Sequence, residues 1–462
     1  MKKTLLGALI CALGSGALAT VHAATPQQQA RILFFGVDGV DADGELPKDK
    51  VIFSWLSNSS YAASIGGRVV LLDTGVARLE TTAGRTPFVL QDLVDLKPEA
   101  IFIGHGHSAQ ADNAAYLAAR TGATIYATPE TCDSLQADFT RIKGNAALQA
   151  NGAMHIEAAS LNCVSVGDKG ATVAGGMIRV NALEPLACIN AVRHLHSTPV
   201  AADTDLSANG VPIEIDPRDA ELFPAGTPLK PSAPGAQAGQ FDIATGGDSR
   251  AGTDASLLFH FTLRSDTNFS FAWHDTTGPL KEGASPGKAG DREAGLRLQA
   301  LLRQLPATDL HLGAVPSENI ANNGMRDLVM YQQALQPLIF VPNHHTAGPG
   351  SPESSSVPLY ASYLRQLQLM AIDRSEWADI RWTTDPTSYA KPIKFDLGEK
   401  AWARAGKTDA LASHCEPVPS TPDPEEPGGS SGGGGGGSLG LAGALLLGLG
   451  SLAMLWRRRY HA

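Results

Sequence analysis

Two histidines stand two residues apart in Gly104-His105-Gly106-His107, directly after the apolar run Ala100-Ile101-Phe102-Ile103. Beyond the end of a buried strand, two imidazoles at this spacing cannot both enter a core. Where the chain turns, they converge on one point, which is the geometry of metal ligands. The neighbouring elements must hold them there. Upstream, Gly67-Arg68-Val69-Val70-Leu71-Leu72-Asp73-Thr74-Gly75 reads as an apolar strand that ends in an acidic turn. Downstream, residues 113–123 read as a short helix with a glycine stop at Gly122.

The wider pattern supplies a frame for this loop. Residues 31–37 and 51–55 read as strands, and 61–65 with 68–72 as a hairpin across Gly66-Gly67. Residues 89–96 predict a short helix that stops before Pro98, and 124–127 predict a further strand. This alternation implies an αβ half with a mostly buried sheet. Strands are expected at 172–183 and 189–193, the second running into His194-Leu195-His196. Residues 197–254 are rich in Pro, Ala, Gly and Asp, and predict a long surface insertion and candidate lid. Strands follow at 256–263, 269–273, 310–313 and 338–341, with helices at 295–305 and 358–372. Two β-rich halves are expected, divided near the insertion.

Together these features resemble the metallo-β-lactamase fold superfamily, whose metal loop reads H-x-H-x-D-H. The resemblance implies a four-layer αβ/βα sandwich (an α/β fold) with metal between two sheet edges. The first metal would be bound by His105, His107 and a third histidine in the stretch 192–197, where His196 is preferred to His194. The bridging carboxylate falls on Asp275, in Phe271-Ala272-Trp273-His274-Asp275-Thr276. The last ligand falls on His344, preferred to its neighbour His345. Asp275 would orient the attacking water, and Asp275 or His344 would accept its proton. Asp73 corresponds to a residue that hydrogen-bonds the metal loop.

The loop departs from the pattern where Ala109 and Gln110 replace the family's Asp and His. A second metal would keep only Asp275 and His344 or His345, and two protein ligands rarely hold zinc. Asp112 is near, but an Asp at a helix start is expected to cap Ala114 and Ala115. The expectation is therefore one zinc ion in a zinc-dependent hydrolase acting on a small-molecule ester, lactone or lactam. The alternative is a degenerate, non-catalytic surface binding protein on the same fold, with a purely structural protein as a third reading.

The chain ends carry addresses. Lys2-Lys3, an apolar stretch and small residues near Ala23 predict a signal peptide over residues 1–23. Residues 24–415 form the folded domain. Residues 416–438 read as a Pro/Gly/Ser linker, 439–456 as an apolar transmembrane helix, and 457–462 as a basic cytoplasmic tail. This order resembles the GlyGly C-terminal sorting tails of Gram-negative bacteria. It implies a transient membrane anchor, cleavage by a rhombosortase-type protease, and a final location from periplasm to cell surface or medium.

The net charge is -10, and the folded region has no basic tract, which speaks against nucleic-acid binding. Five cysteines occur, of which Cys11 lies in the leader. The remaining Cys132, Cys163, Cys188 and Cys415 suggest two disulfides in an exported protein. Three pairings are open, and Cys132 with Cys163 and Cys188 with Cys415 is the expected one.

Overall fold

The computed structural model describes residues 24–76, 88–150, 152, 155–169, 174–194, 196–197, 256–278, 280, 292–316, 325–345, 356–383 and 388–415. The leader, most of the expected insertion, and the linker, apolar stretch and basic tail lie outside them. Among the described residues, no helix is long and apolar enough to cross a membrane.

Among the described residues, fourteen strands form two seven-stranded sheets. The first contains β1 (Lys50–Ser57), β2 (Ser60–Ile65), β3 (Arg68–Leu72), β4 (Ala100–Phe102), β5 (Thr124–Ala127) and β6 (Cys163–Ser165). The second contains β7 (Met177–Val180), β8 (Ala187–His194), β9 (Ser256–Leu263), β10 (Ser270–Trp273), β11 (Leu310–Ala314), β12 (Ile339–Asn343) and β13 (Asp379–Ile380). The last strand, β14 (Pro392–Asp396), returns to the first sheet and lies antiparallel to β1. The spatial orders are β14-β1-β2-β3-β4-β5-β6 and β13-β12-β11-β10-β9-β8-β7.

The two sheets repeat one plan. In the first, β14, β1, β2 and β3 are successively antiparallel, and β3, β4, β5 and β6 successively parallel. In the second, β7 to β10 are antiparallel and β10 to β13 parallel. No sequence repeat announces this.

Side-chain alternation along the strands builds the layers. Phe53, Val70, Phe102, Phe259, Phe271 and Leu312 meet between the sheets. Ile52, Leu71 and Ile101 face the helices Pro26–Phe35, Leu90–Leu96, Ala114–Thr121 and Pro129–Lys143. Val192, Leu258 and Ala272 face Arg292–Gln304 and Arg326–Leu335, and Phe340 packs with Ser356–Leu369. The result is the expected four-layer αβ/βα sandwich. Because both faces of each sheet are covered, strands such as β9 are buried throughout.

Three sequence expectations need correction. Residues 31–37 are not a strand. The helix Pro26–Phe35 occupies that stretch, with Thr25 Oγ1 accepting from Gln28 N and Pro26 opening the first turn. Within the described part of the strand expected at 172–183, only β7 is strand: Gly175 and Gly176, both at positive φ, precede it and a turn at 182–186 follows. The two halves do not divide at the insertion. β7 and β8 precede it yet belong to the second sheet, while β14 comes late and completes the first.

Both disulfides, Cys132–Cys163 and Cys188–Cys415, are present in the expected pairing. The first ties the helix Pro129–Lys143 to β6, and the second ties the final helix, Lys407–Cys415, to β8.

Candidate metal centre

The loop after β4 turns at Gly104, whose N–H donates to Asp73 Oδ1 at 3.2 Å. A Cβ at Gly104 would stand 2.2 Å from Asp275 Cγ, so only glycine lets that carboxylate approach the loop. Asp73 follows β3 in the left-handed region at φ 54°, and its Oδ2 accepts from Ser59 Oγ at 2.6 Å. Asp73 thus braces the loop that carries the histidines.

His105, His107 and His196 converge. His105 Nε2 lies 3.0 Å from His107 Nδ1 and 3.2 Å from His196 Nε2. The three ring centroids are 4.6, 4.5 and 4.7 Å apart, each pair set edge to face. His105 is fully buried. Burial pushes His105 and His196 well below the ordinary histidine range, and the neighbouring imidazoles add to the effect. Neutral rings are the state that binds a cation.

Their outer partners fix the tautomers. His105 Nδ1 lies 2.7 Å from Asp275 Oδ2, and donates to it when Asp275 is the carboxylate. His196 Nδ1 donates to the carbonyl of Ser197. In each neutral ring the proton is then on Nδ1 and the lone pair on Nε2. Two lone pairs facing each other at 3.2 Å repel unless a cation stands between them. The donor set of three imidazole nitrogens suits zinc or another divalent transition metal.

Asp275 is placed behind His105, with its carboxylate on the ring's outer nitrogen, and does not join the three converging nitrogens. Its carboxyl and that of Asp73 are both buried and pushed well above the ordinary range, for Asp73 also by the adjacent Asp275 charge. His344 has φ 54° and directs Nδ1 onto the Asp275 carbonyl at 2.5 Å. Nδ1 must donate there, which leaves Nε2 as the basic nitrogen. His344 lies close enough to lower the pKa of both His105 and His196. His345 turns away, with Nε2 2.7 Å from Thr383 Oγ1 and its ring against Trp55 and Trp382.

His194 and His196 part company at the end of β8. His194 faces the outer helices, with Nδ1 3.1 Å from the Tyr331 hydroxyl. Its ring also stands edge to face with His274, 5.5 Å between centroids, and His274 begins a buried hydrogen-bonded chain that sequence reasoning missed. His274 Nδ1 donates to the Thr276 carbonyl at 2.6 Å, so its Nε2 accepts from His311 Nε2 at 2.7 Å. His311 Nδ1 then accepts from Gln332 Nε2 at 2.6 Å. Thr276 Oγ1 accepts from Ser197 N at 2.9 Å, which anchors the residue following His196. Histidines at the ends of or within strands, at 194, 274 and 311, were a signal for this network, but their spacing said nothing of their shared face.

Gln110 is buried, its Nε2 3.5 Å from Ser59 Oγ, while Ala109 is exposed. The N-cap position of the next helix falls to Asn113, not Asp112. Asn113 takes φ 72° and donates its amide to the Thr74 carbonyl at 3.2 Å.

No protein-family model matches the sequence, and no curated protein matches it. Solved structures do. The chain is similar to Igni18, a metallo hydrolase from Ignicoccus hospitalis KIN4/I, at 13% identity, over 75% of this chain and 98% of that one, with a TM-score of 0.40. It is similar to the metallo-β-lactamase fold protein YhfI from Bacillus subtilis at 8% identity, over 75% and 100%, with a TM-score of 0.36. It is also similar to CmlA, a diiron β-hydroxylase from Streptomyces venezuelae, at 10% identity, over 78% and 58%, with a TM-score of 0.37. The architecture described above stands on its own strand order.

Proposed function

We propose that this protein is an exported, metal-dependent hydrolase of the metallo-β-lactamase superfamily, with one zinc ion held by His105, His107 and His196. The observation that carries the reading is the convergence of three imidazoles, with His105 Nε2 3.0 Å from His107 Nδ1 and 3.2 Å from His196 Nε2. A divalent cation held there supplies Lewis acidity toward a carbonyl or phosphoryl oxygen. Asp275 keeps the His105 proton on Nδ1, and Ser197 does the same for His196. His344, beside the centre with its Nδ1 on the Asp275 carbonyl, is the proposed base.

One ion is favoured over two. Gln110 lies against Ser59 and Asp275 Oδ2 is taken by His105, which leaves Asp275 Oδ1 and His344 toward a second ion, and two protein ligands rarely hold zinc. Small-molecule esters, lactones or lactams are the proposed substrates. Export, a transient anchor at residues 439–456, and cleavage by a rhombosortase-type protease remain part of the proposal and rest on the sequence of the two ends. The second reading is a binding protein that keeps the ion without turnover. It draws support from Ala109, which offers no proton-transferring carboxylate on the metal loop.

Elemental analysis of the exported protein, together with a panel of ester, lactone, lactam and phosphodiester substrates, tests both. About one zinc per chain with turnover that His107→Ala abolishes is expected. One zinc without turnover on any substrate leaves the binding reading. Absence of metal from freshly exported protein overturns both.

A further inference from the structure

Of the three converging histidines, His196 is the one that lies beyond its own strand's backbone pairing. The register of β8 against β9 ends at His194 opposite Ser256, so His196 stands two residues past the last pair. The bracing of this segment comes from the far side of the site. Ser197 N donates to Thr276 Oγ1 at 2.9 Å, and Thr276 Oγ1 donates to Ser197 Oγ at 3.1 Å. The Ser197 carbonyl in turn accepts from His196 Nδ1. One hydroxyl thus holds the residue whose carbonyl orients the imidazole.

The threonine is itself fixed. It is fully buried, and Ser197 is 6% exposed. The Thr276 carbonyl accepts from His274 Nδ1 at 2.6 Å. Thr277 Oγ1 donates to the carbonyl of Ala314, the last residue of β11, at 2.6 Å. Asn343, the last residue of β12, donates its amide to the His274 carbonyl at 3.3 Å. A turn pinned to two strand ends gives the hydroxyl a defined position. The same turn carries Asp275, whose Oδ2 meets His105 and whose carbonyl meets His344. The dipeptide Asp275-Thr276 therefore reaches His105, His344 and, through Ser197, His196.

The contact is chemically specific. A hydroxyl accepts from a backbone N–H and donates to a serine oxygen at once, which an alkyl side chain cannot do. A buried N–H left without an acceptor is costly, so loss of the hydroxyl favours a shift of Ser197, and His196 shifts with it. Zinc–imidazole bonds are about 2.0–2.1 Å long, so a small displacement of one ring is felt as lost affinity.

We infer that Thr276 is a positioning residue: its hydroxyl holds the Ser197 backbone and thereby sets the His196 imidazole as a metal ligand. The inference rests on the metal-centre reading and asks nothing of the reaction. Zinc affinity of the exported protein, measured by competition against chromophoric chelators, tests it. Thr276→Val is expected to bind zinc at least tenfold more weakly. Thr276→Ser, which keeps the hydroxyl, is expected within threefold of wild type. In a His196→Ala background the Val substitution should change affinity by less than twofold, because the ligand through which Thr276 acts is gone. That cycle separates positioning from a general loss of stability. If the Val variant does not fold, Thr276→Ala takes its place, with at least a threefold loss expected because a water can reach the Ser197 N–H. A loss under threefold in the variant used, a Ser variant as weak as that variant, or an undiminished effect in the His196→Ala background overturns the inference. Wild-type protein that takes up no zinc overturns the metal-centre reading itself, and the inference with it.

Discussion

Asp73 and Asp275 hold corresponding places in the two sheets, and their carboxylates meet at Gly104. Asp73 closes β3 and Asp275 follows β10, each of which pairs antiparallel with the strand before it and parallel with the strand after it. Asp73 takes the Gly104 N–H, and Asp275 takes the His105 ring. One repeated corner thus braces the backbone of the metal loop, and the other sets the proton on its first histidine.

Replacing Asp275 by Asn keeps the shape but removes the carboxylate that holds the His105 tautomer. Metal affinity is expected to fall by about 10–100-fold, the usual effect of losing such an outer partner. Competition against a chromophoric chelator measures it. Unchanged affinity would show that His105 is oriented by packing alone.

Gly104→Ala is expected to be severe although it adds a single methyl. Its Cβ would stand 2.2 Å from Asp275 Cγ, and that carboxylate is fully buried. A loss of about 3 kcal/mol is expected from overpacking, read from urea unfolding, together with loss of bound metal. A variant that unfolds and binds metal like wild type would contradict the placement of Asp275.

Acid should destabilise the fold through buried neutral histidines away from the loop. Burial lowers His260 to about 3, with the nearby Lys407 charge adding to the effect. A histidine with a lowered folded pKa contributes stability that is complete above its unfolded value, about 6.5. That contribution is lost as pH falls from there toward 3, because the unfolded chain binds the proton first. Between about pH 6 and 4, each such group should cost about 1.4 kcal/mol per pH unit. His260→Gln is expected to flatten the pH dependence of the urea midpoint, and an unaltered slope would count against this assignment.

The Cys188–Cys415 bridge closes a separation of 227 residues. Replacing both cysteines by serine is expected to cost about 2–5 kcal/mol. Thermal unfolding of the double variant checks it, and a shift of less than 1 °C would show that the buried Lys407–Asp309 ion pair already holds the final helix in place.

Much of this molecule was legible because local pattern and tertiary position agree. The hairpin across Gly66-Gly67 appears as β2 and β3, joined by two residues with positive φ. The strand feeding His105 and the glycine stop at Gly122 were equally plain, and His105, His107 and His196 do come together. One failure was local and the others were not. Residues 31–37 carry apolar side chains compatible with strand or helix, and the Thr25-Pro26 start decides for helix. The direction of Asp275 depends on the room left by Gly104, which no spacing reveals.

The covalent tie at Cys415 also has a mechanical consequence. A pull on the chain beyond residue 415 would not peel the final helix or strip β14 from β1. The force would pass through Cys188 into β8, which is hydrogen-bonded on one side to β7 and on the other to β9. Those bonds lie across the strand and share the load in shear, which resists extension better than the one-by-one unzipping of an edge strand. The same strand leads to Arg193 and His196, so tension on a tether would reach the metal centre before it opened the fold.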